Sequence, residues 1–345
     1  MAAATEEEEE DESGEETSDS ELPRLEIVGT GGTIANPSDR DGYFSPEELV
    51  EERPELAEIA SISVTGVSEV ASQDITSEIL FETHDAIMES ATSDDSPDGF
   101  VVTTGSNGNA EVAYFLNLAL DTDIPVVLTA AQRAIGTPGT DSDKNLYDAA
   151  RVAVSDNAEG RGVLQVANDE IHHSRDVFKS VASRPDGWDS PNFGRIGIVD
   201  GDEVLFYSSR ERLSTTDTEF CGTDLSAEEY PLSDIYTVTS VLEANGELVD
   251  AAVDAGAKGI VAGVYPTGSA SEPEGFYSQG EALTKAAEAG IPVVFANHGW
   301  EGRISGDDTY IGGDTLQLHK ARLLLAFGVM ESTDPEYLQE VFNTY

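Results

Sequence analysis

The chain has 345 residues, enough for one large or two ordinary domains with substantial cores. Its 68 acidic residues outnumber 18 basic ones, a net charge of -50 that excludes the basic face nucleic-acid phosphates require and fits a protein adapted to concentrated salt. Cys221 is the only cysteine, so no intrachain disulfide is available, and no apolar run reaches the ~18 residues of a membrane span. With no charged-then-apolar export signal at the N-terminus, the expectation is a soluble, cytoplasmic protein of a high-salt cell.

Residues 1–22 carry 11 acidic groups and no basic one, which predicts a solvated, self-repelling disordered tail. Beyond it, strand-like and helix-like runs alternate. Leu25 to Val28 and the β-branched run Ile62 to Val70 read as strands, and Thr76 to Ser90 has helical spacing. Strand Phe100 to Thr103, helix Ala110 to Leu120, strand Pro125 to Thr129, helix Lys144 to Val154 and strand Val163 to Ala167 follow. From Ser190 the pattern turns to short β pieces, with a hairpin of Ile196 to Val199 and Val204 to Tyr207 about Asp200-Gly201. A second unit runs through strand Ile235 to Val241, helix Leu248 to Ala255, strand Gly259 to Val264, helix Gln279 to Ala289 and strand Pro292 to Ala296. Helices Leu316 to Val329 and Pro335 to Phe342 close the chain. This alternation predicts an α/β protein: a larger N-terminal domain, 23–210, with a doubly wound, mostly parallel sheet; a linker, 211–232; and a smaller C-terminal α/β domain, 233–345.

In open parallel sheets ligands bind beyond the carboxyl ends of the strands, which directs attention to Thr30 to Thr33, Ser72-Gln73-Asp74, Thr104 to Asn107 and Asn168-Asp169. At the first of these, Gly29, Gly31 and Gly32 are glycines suited to a tight turn whose N–H groups face an anion or oxyanion, with Thr33 offering a nucleophilic hydroxyl. The dinucleotide fingerprint fails, because its third glycine would fall at Ile34, and no Gly-Lys-Ser/Thr follows for a phosphate loop. By spacing alone, a structural turn and an active-site turn fit equally. His172-His173 lacks any metal-ligand spacing and reads as a pair of solvated loop histidines.

Taken together, these motifs resemble the bacterial-type L-asparaginases. Thr30-Gly31-Gly32-Thr33-Ile34-Ala35 is similar to that family's first signature, and Ser72-Gln73-Asp74 to its substrate-carboxylate loop. Asn145 to Ala149, Asn168-Asp169-Glu170, Arg175-Asp176-Val177-Phe178-Lys179, Ser190 to Gly194, Lys320-Ala321-Arg322 and Asp334-Pro335 match further landmarks in order, over residues 24–345. The resemblance implies an amidohydrolase that releases ammonia from L-asparagine through an acyl-enzyme. It assigns Thr33 as nucleophile, Tyr43 beside it, Lys179 as base with Ser106, and Ser72, Gln73, Asn107, Gly32 and Gly105 as substrate contacts. It implies no metal or organic cofactor, a small-molecule amide as partner, and a homodimer or homotetramer.

Two departures stand out. The family's second signature, H-G-T-D-T, is here Thr104-Gly105-Ser106-Asn107-Gly108, so threonine has become serine and the aspartate has lost its charge. Asn107 still accepts a hydrogen bond but gives up the stronger charge-assisted one, and without that carboxylate the Lys179 pKa should be lower. The family's G-N-G-N turn is Tyr265-Pro266-Thr267-Gly268-Ser269, with Glu301 the nearest match to its C-terminal glutamate. These changes leave open a catalytically impaired pseudoenzyme, an amino-acid-binding protein, or an amidase with a different substrate.

Overall fold

A computed structural model describes residues 22–222 and 226–345; the expected acidic tail lies outside them except for Leu22. The first eight strands are β1 (Arg24–Gly31), β2 (Ser61–Val70), β3 (Gly99–Thr103), β4 (Val126–Thr129), β5 (Leu164–Ala167), β6 (Glu170–His173), β7 (Phe178–Lys179) and β8 (Trp188–Asp189). They are followed by β9 (Gly197–Asp200), β10 (Glu203–Phe206), β11 (Ile235–Thr239), β12 (Gly259–Val264), β13 (Val293–Asn297) and β14 (Ile311–Gln317). The helices are α1 (Pro46–Glu51), α2 (Ser77–Ala91), α3 (Asn109–Ala119), α4 (Ser142–Ala153), α5 (Glu247–Asp254), α6 (Gln279–Glu288), α7 (Leu318–Glu331) and α8 (Pro335–Thr344).

The large sheet has the order β10-β9-β6-β5-β4-β3-β1-β2. Strands β2, β1, β3, β4 and β5 are parallel neighbours, and β6, β9 and β10 extend one edge antiparallel. The chain reverses direction across the sheet between β1 and β3, the switch point where an open sheet leaves a crevice at the strand carboxyl ends. A second, wholly parallel sheet runs β11-β12-β13-β14.

Each sheet is covered on both faces. Helices α1 and α4 bury Leu49, Leu146 and Ala150 against Leu25, Ile27 and Val101, while α2 and α3 bury Leu80, Phe81 and Phe115 against Val28, Phe100 and Val102. The C-terminal helices α7 and α8 join this second core, with Phe327 5.5 Å from the Phe115 ring, so the two sheets share a helical layer between them. Helices α5 and α6 close the far side through Val249, Ala252 and Leu283. Helix starts follow local chemistry: Ser45 with Glu48, and Ser278 with Glu281, make reciprocal capping boxes, and Asp334 caps α8 ahead of Pro335.

Four expectations need correction. Gly29 does not belong to the turn: it lies inside β1, where an added Cβ would come 2.5 Å from Pro46 of α1, so its role is close packing. Asn168-Asp169 is no ligand-facing strand end but the turn of the β5–β6 hairpin, with φ of 55° and 62°. The next strand buries His172 and His173, which are 2% exposed rather than solvated; His172 Nδ1 lies 3.0 Å from Ser190 Oγ, and burial pushes His173 down to about 4. Finally, Leu316 belongs to strand β14 rather than to the following helix, which starts at Leu318.

Candidate active site

Three strand ends converge at the switch point. At the end of β1, Gly31 and Gly32 take φ of 95° and 82°, a conformation that favours glycine. A Cβ on Gly32 would sit 2.2 Å from the Cα and N of Gly105, so the turns after β1 and β3 touch backbone to backbone. Thr33 opens a single helical turn that buried Ile34 and Ala35 pin to the core, leaving Thr33 half-buried at the crevice. Thr30 instead points its hydroxyl at the Thr103 carbonyl, 3.1 Å away, and ties the two strand ends together.

The turn after β2 completes the floor. Ser72 is buried, its Oγ accepts from the Gly108 N–H at 2.9 Å, and a Cβ on Gly105 would lie 2.6 Å from that oxygen. From the rim, Lys179 of β7 donates to Ser106 Oγ at 2.7 Å and to Asn107 Oδ1 at 3.0 Å, and Asn107 Nδ2 donates to Gln73 Oε1 at 3.3 Å. An amide at 107 can bridge a donor and an acceptor at once; a carboxylate there would only accept. The structure therefore gathers Gly32, Thr33, Ser72, Gln73, Gly105, Ser106, Asn107 and Lys179 around one crevice. Tyr43 lies half-buried against the core containing Ile34 and Ala35, and among the described residues its hydroxyl makes no hydrogen bond to Thr33, Ser106 or Lys179.

Lys179 is held below the ordinary lysine range, first by burial, with Asp141 pushing the other way. Burial is the main cause of this lowering. Asp141 was not singled out from the sequence. Its carboxylate accepts from the Gln132 and Arg133 N–H groups and from Asn145 Nδ2, fixing the loop after β4, while Asn145 also accepts from the Asn168 N–H. The Asn145 and Asn168 landmarks are thus scaffold rather than chemistry. The segment carrying Lys179 is anchored to the C-terminal domain: Asn192 accepts from the Gly302 N–H, and buried Arg175 reaches Asp314 and Thr315. The Tyr265–Ser269 turn stands at the carboxyl end of β12, its Tyr265 ring 5.0 Å from His298 beyond β13; Glu301 is exposed.

Hydroxyls on strand-end turns beside a half-buried lysine, at the switch point of a two-sheet α/β chain, define a class: a hydrolase built for acyl transfer. Known proteins make this specific. Residues 24–212 match the family described as asparaginase, N-terminal, and residues 234–342 match the glutaminase/asparaginase C-terminal domain. L-asparaginase 2 of Bacillus subtilis is 33% identical over 338 residues, 94% of this chain and 87% of that protein. L-asparaginase 2 of Escherichia coli is 31% identical over 338 residues, 94% of each chain. The glutaminase-asparaginase of Pseudomonas fluorescens is 30% identical, over 94% of this chain and 91% of that protein. Among solved structures, a probable cytoplasmic L-asparaginase from Campylobacter jejuni superposes with a TM-score of 0.85 at 28% identity, covering 94% of this chain and all of the other. The chain belongs to the asparaginase family and is an amidohydrolase.

Proposed function

We propose that the protein is an L-asparaginase that releases ammonia from the side-chain amide of L-asparagine through a threonyl ester, without metal or organic cofactor. The observation that carries this reading is the 2.7 Å bond between Lys179 Nζ and Ser106 Oγ, beside the Gly32–Gly105 contact that also carries Thr33. The Thr33 hydroxyl attacks the amide carbon, and its proton passes by way of Ser106 to neutral Lys179. Backbone N–H groups of the Gly32 and Gly105 turns hold the oxyanion, each such donor contributing about 3 kcal/mol. Lys179 returns the proton to the departing nitrogen as the C–N bond breaks and ammonia leaves. Water then attacks the ester, and Thr33 regains its hydroxyl as aspartate departs. Ser72 and Gln73 receive the substrate carboxylate, Asn107 accepts from its ammonium, and Tyr43, packed against the core that holds Ile34 and Ala35, steadies the turn that carries Thr33.

The same reading assigns catalysis to 23–210, a linker to 211–232 and a completing domain to 233–345, in a homodimer or homotetramer in the cytoplasm of a high-salt cell. Among the described residues no helix is long and apolar enough to cross a membrane. The test is ammonia release from asparagine, glutamine and simple amides in molar KCl. Release from asparagine that disappears in Thr33→Ala supports the proposal; no release, or release unchanged by Thr33→Ala, overturns it.

A second reading rests on neutral Asn107, which offers no charge to a substrate ammonium: a different amide, or binding without turnover. Asn107→Asp separates the two. Higher asparagine turnover in the variant favours an asparaginase slowed by its triad, and equal or lower turnover favours another substrate.

A further inference from the structure

Lys320, on the first turn of α7, is fully buried, yet no carboxylate accepts from it among the described residues. Its Nζ donates instead to the carbonyls of Ser174 at 2.5 Å and Arg175 at 3.0 Å, and to that of Val177. All three acceptors lie across the domain boundary, on the segment that leads from β6 to Lys179. An ammonium has three protons, and here each meets one carbonyl. Burying such a charge is costly, so the sequence retains an expensive group where an apolar side chain would fill the space. The element it precedes is slight. β7 is the pair Phe178–Lys179 alone, held to β8 by Lys179 and Trp188 in register and by a Ser180–Gly187 backbone bond.

We propose that Lys320 is a positioning residue: its buried ammonium, reaching from the C-terminal domain, clamps the carbonyls of Ser174, Arg175 and Val177 and so sets the path that delivers Lys179 to Ser106. The inference rests on Lys179 being the base of the proposed reaction.

The charged and titratable groups around the clamp come from four elements. Glu111 and Tyr114 face it from α3, the Tyr114 ring 5.8 Å away; Arg175 and Asp176 from the clamped segment; His173 from β6; and His319 from its own helix. Burial pushes Lys320 down to about 7, Asp176 pushes it up, Arg175 down and Glu111 up, while the three carbonyls favour the fully protonated form. Once the proton is lost, two N–H groups remain for three carbonyls and the segment slackens. The alkaline limb of turnover therefore reports Lys320.

The experiment uses the full chain in molar KCl. Brief acylation with acetic anhydride across pH, read by peptide mass spectrometry, gives the reactivity of each of the five lysines without any substrate. The Lys179 labelling curve is expected to carry a second inflection that moves to lower pH in Glu111→Gln, where a charge favouring the ammonium is gone, and vanishes in Lys320→Met. In the asparagine assay, kcat in Lys320→Met is expected to fall about hundredfold with KM nearly unchanged, the scale of an ångström's misplacement. The alkaline limb of kcat in Glu111→Gln should shift acidward by several tenths of a pH unit. A limb and inflection that stay put in Glu111→Gln overturn the clamp, as does full kcat in Lys320→Met; if that variant does not fold, Glu111→Gln decides alone. A wild type without amidase activity defeats the proposed function instead, and the labelling curve still tests the clamp.

Discussion

A methyl group on Gly32 has nowhere to go: it would meet the Gly105 backbone at 2.2 Å, on a residue already at φ 82°. Since that contact joins the turns that carry Thr33 and Ser106, Gly32→Ala should part the two turns and lower turnover about hundredfold or more, with unfolding still cooperative. Unchanged turnover would show that the contact does not shape the site. The electrostatics of Lys179 are equally local. Burial lowers its pKa and Asp141 opposes the shift, so Asp141→Asn removes the opposing charge and the pKa falls further. In the proposed mechanism Lys179 must be neutral to act as base, so the rising limb of kcat/KM should move to lower pH in that variant. A limb that moves to higher pH, or not at all, would remove Asp141 from the account.

Strand β14 shows what a single element does for the site and why the sequence concealed it. It contains Gly312-Gly313-Asp314, its pairing with β13 slips between Phe295 and Asn297, and Asp314 sits at φ 51°. Glycines and an aspartate are poor strand formers, so no β pattern marked it. The irregularity has a use: it turns the Asp314 carboxylate toward Arg303 at 2.6 Å, Arg212 at 2.7 Å and Arg175 at 3.3 Å, a hub that joins β14 to the segment ahead of Lys179. Asp314→Asn leaves nearly buried Arg175 short of a counter-charge and should cost about 3 kcal/mol, the lower end for breaking a buried pair because Arg303 is half exposed. Denaturant titration checks this, and a loss under about 1 kcal/mol would show that the arginines find other partners. The long periodic helices and the β-branched central strands were legible, because burial on one or both faces imposes a pattern. Motif order also brought Lys179 to Ser106 and Ser72 to the turn after β3, which the hydrogen bonds show. The β6 histidines were not legible, since two polar residues in a four-residue strand carry no apolar alternation. Lys320 left one unused mark: it falls in helical register with Leu323, Leu324 and Phe327, a lysine on the buried stripe.

Over the whole molecule, the scarcity of cations makes each one informative. Every lysine has a partner: Lys144 with Asp148 and Asp169, Lys258 with Asp234, Lys285 over the Tyr277 ring, Lys179 with Ser106 and Lys320 with carbonyls. The remaining surface is acidic and repels itself, so salt should raise the melting temperature steeply up to molar KCl, where the Debye length is about 3 Å. Acid should act through a different group. His173 is buried and neutral, its pKa lowered from 6.5 to about 4 by loss of water, whereas the unfolded chain takes up a proton below 6.5. Its contribution to stability is therefore complete above pH 6.5 and is lost as the pH falls toward 4, amounting to about 3 kcal/mol over that window. Holding KCl at molar strength suppresses the carboxylate repulsion, and urea midpoints measured from pH 7 to pH 5 then follow the histidine. His173→Gln cannot take up the proton and should cut the decline to about half, because His319, lowered by burial to about 3, loses stability over the same window, even if the variant's stability at pH 7 is lower. An equally steep decline in the variant would assign acid sensitivity elsewhere, first to His319, which burial lowers to about 3 at the start of the helix that carries Lys320.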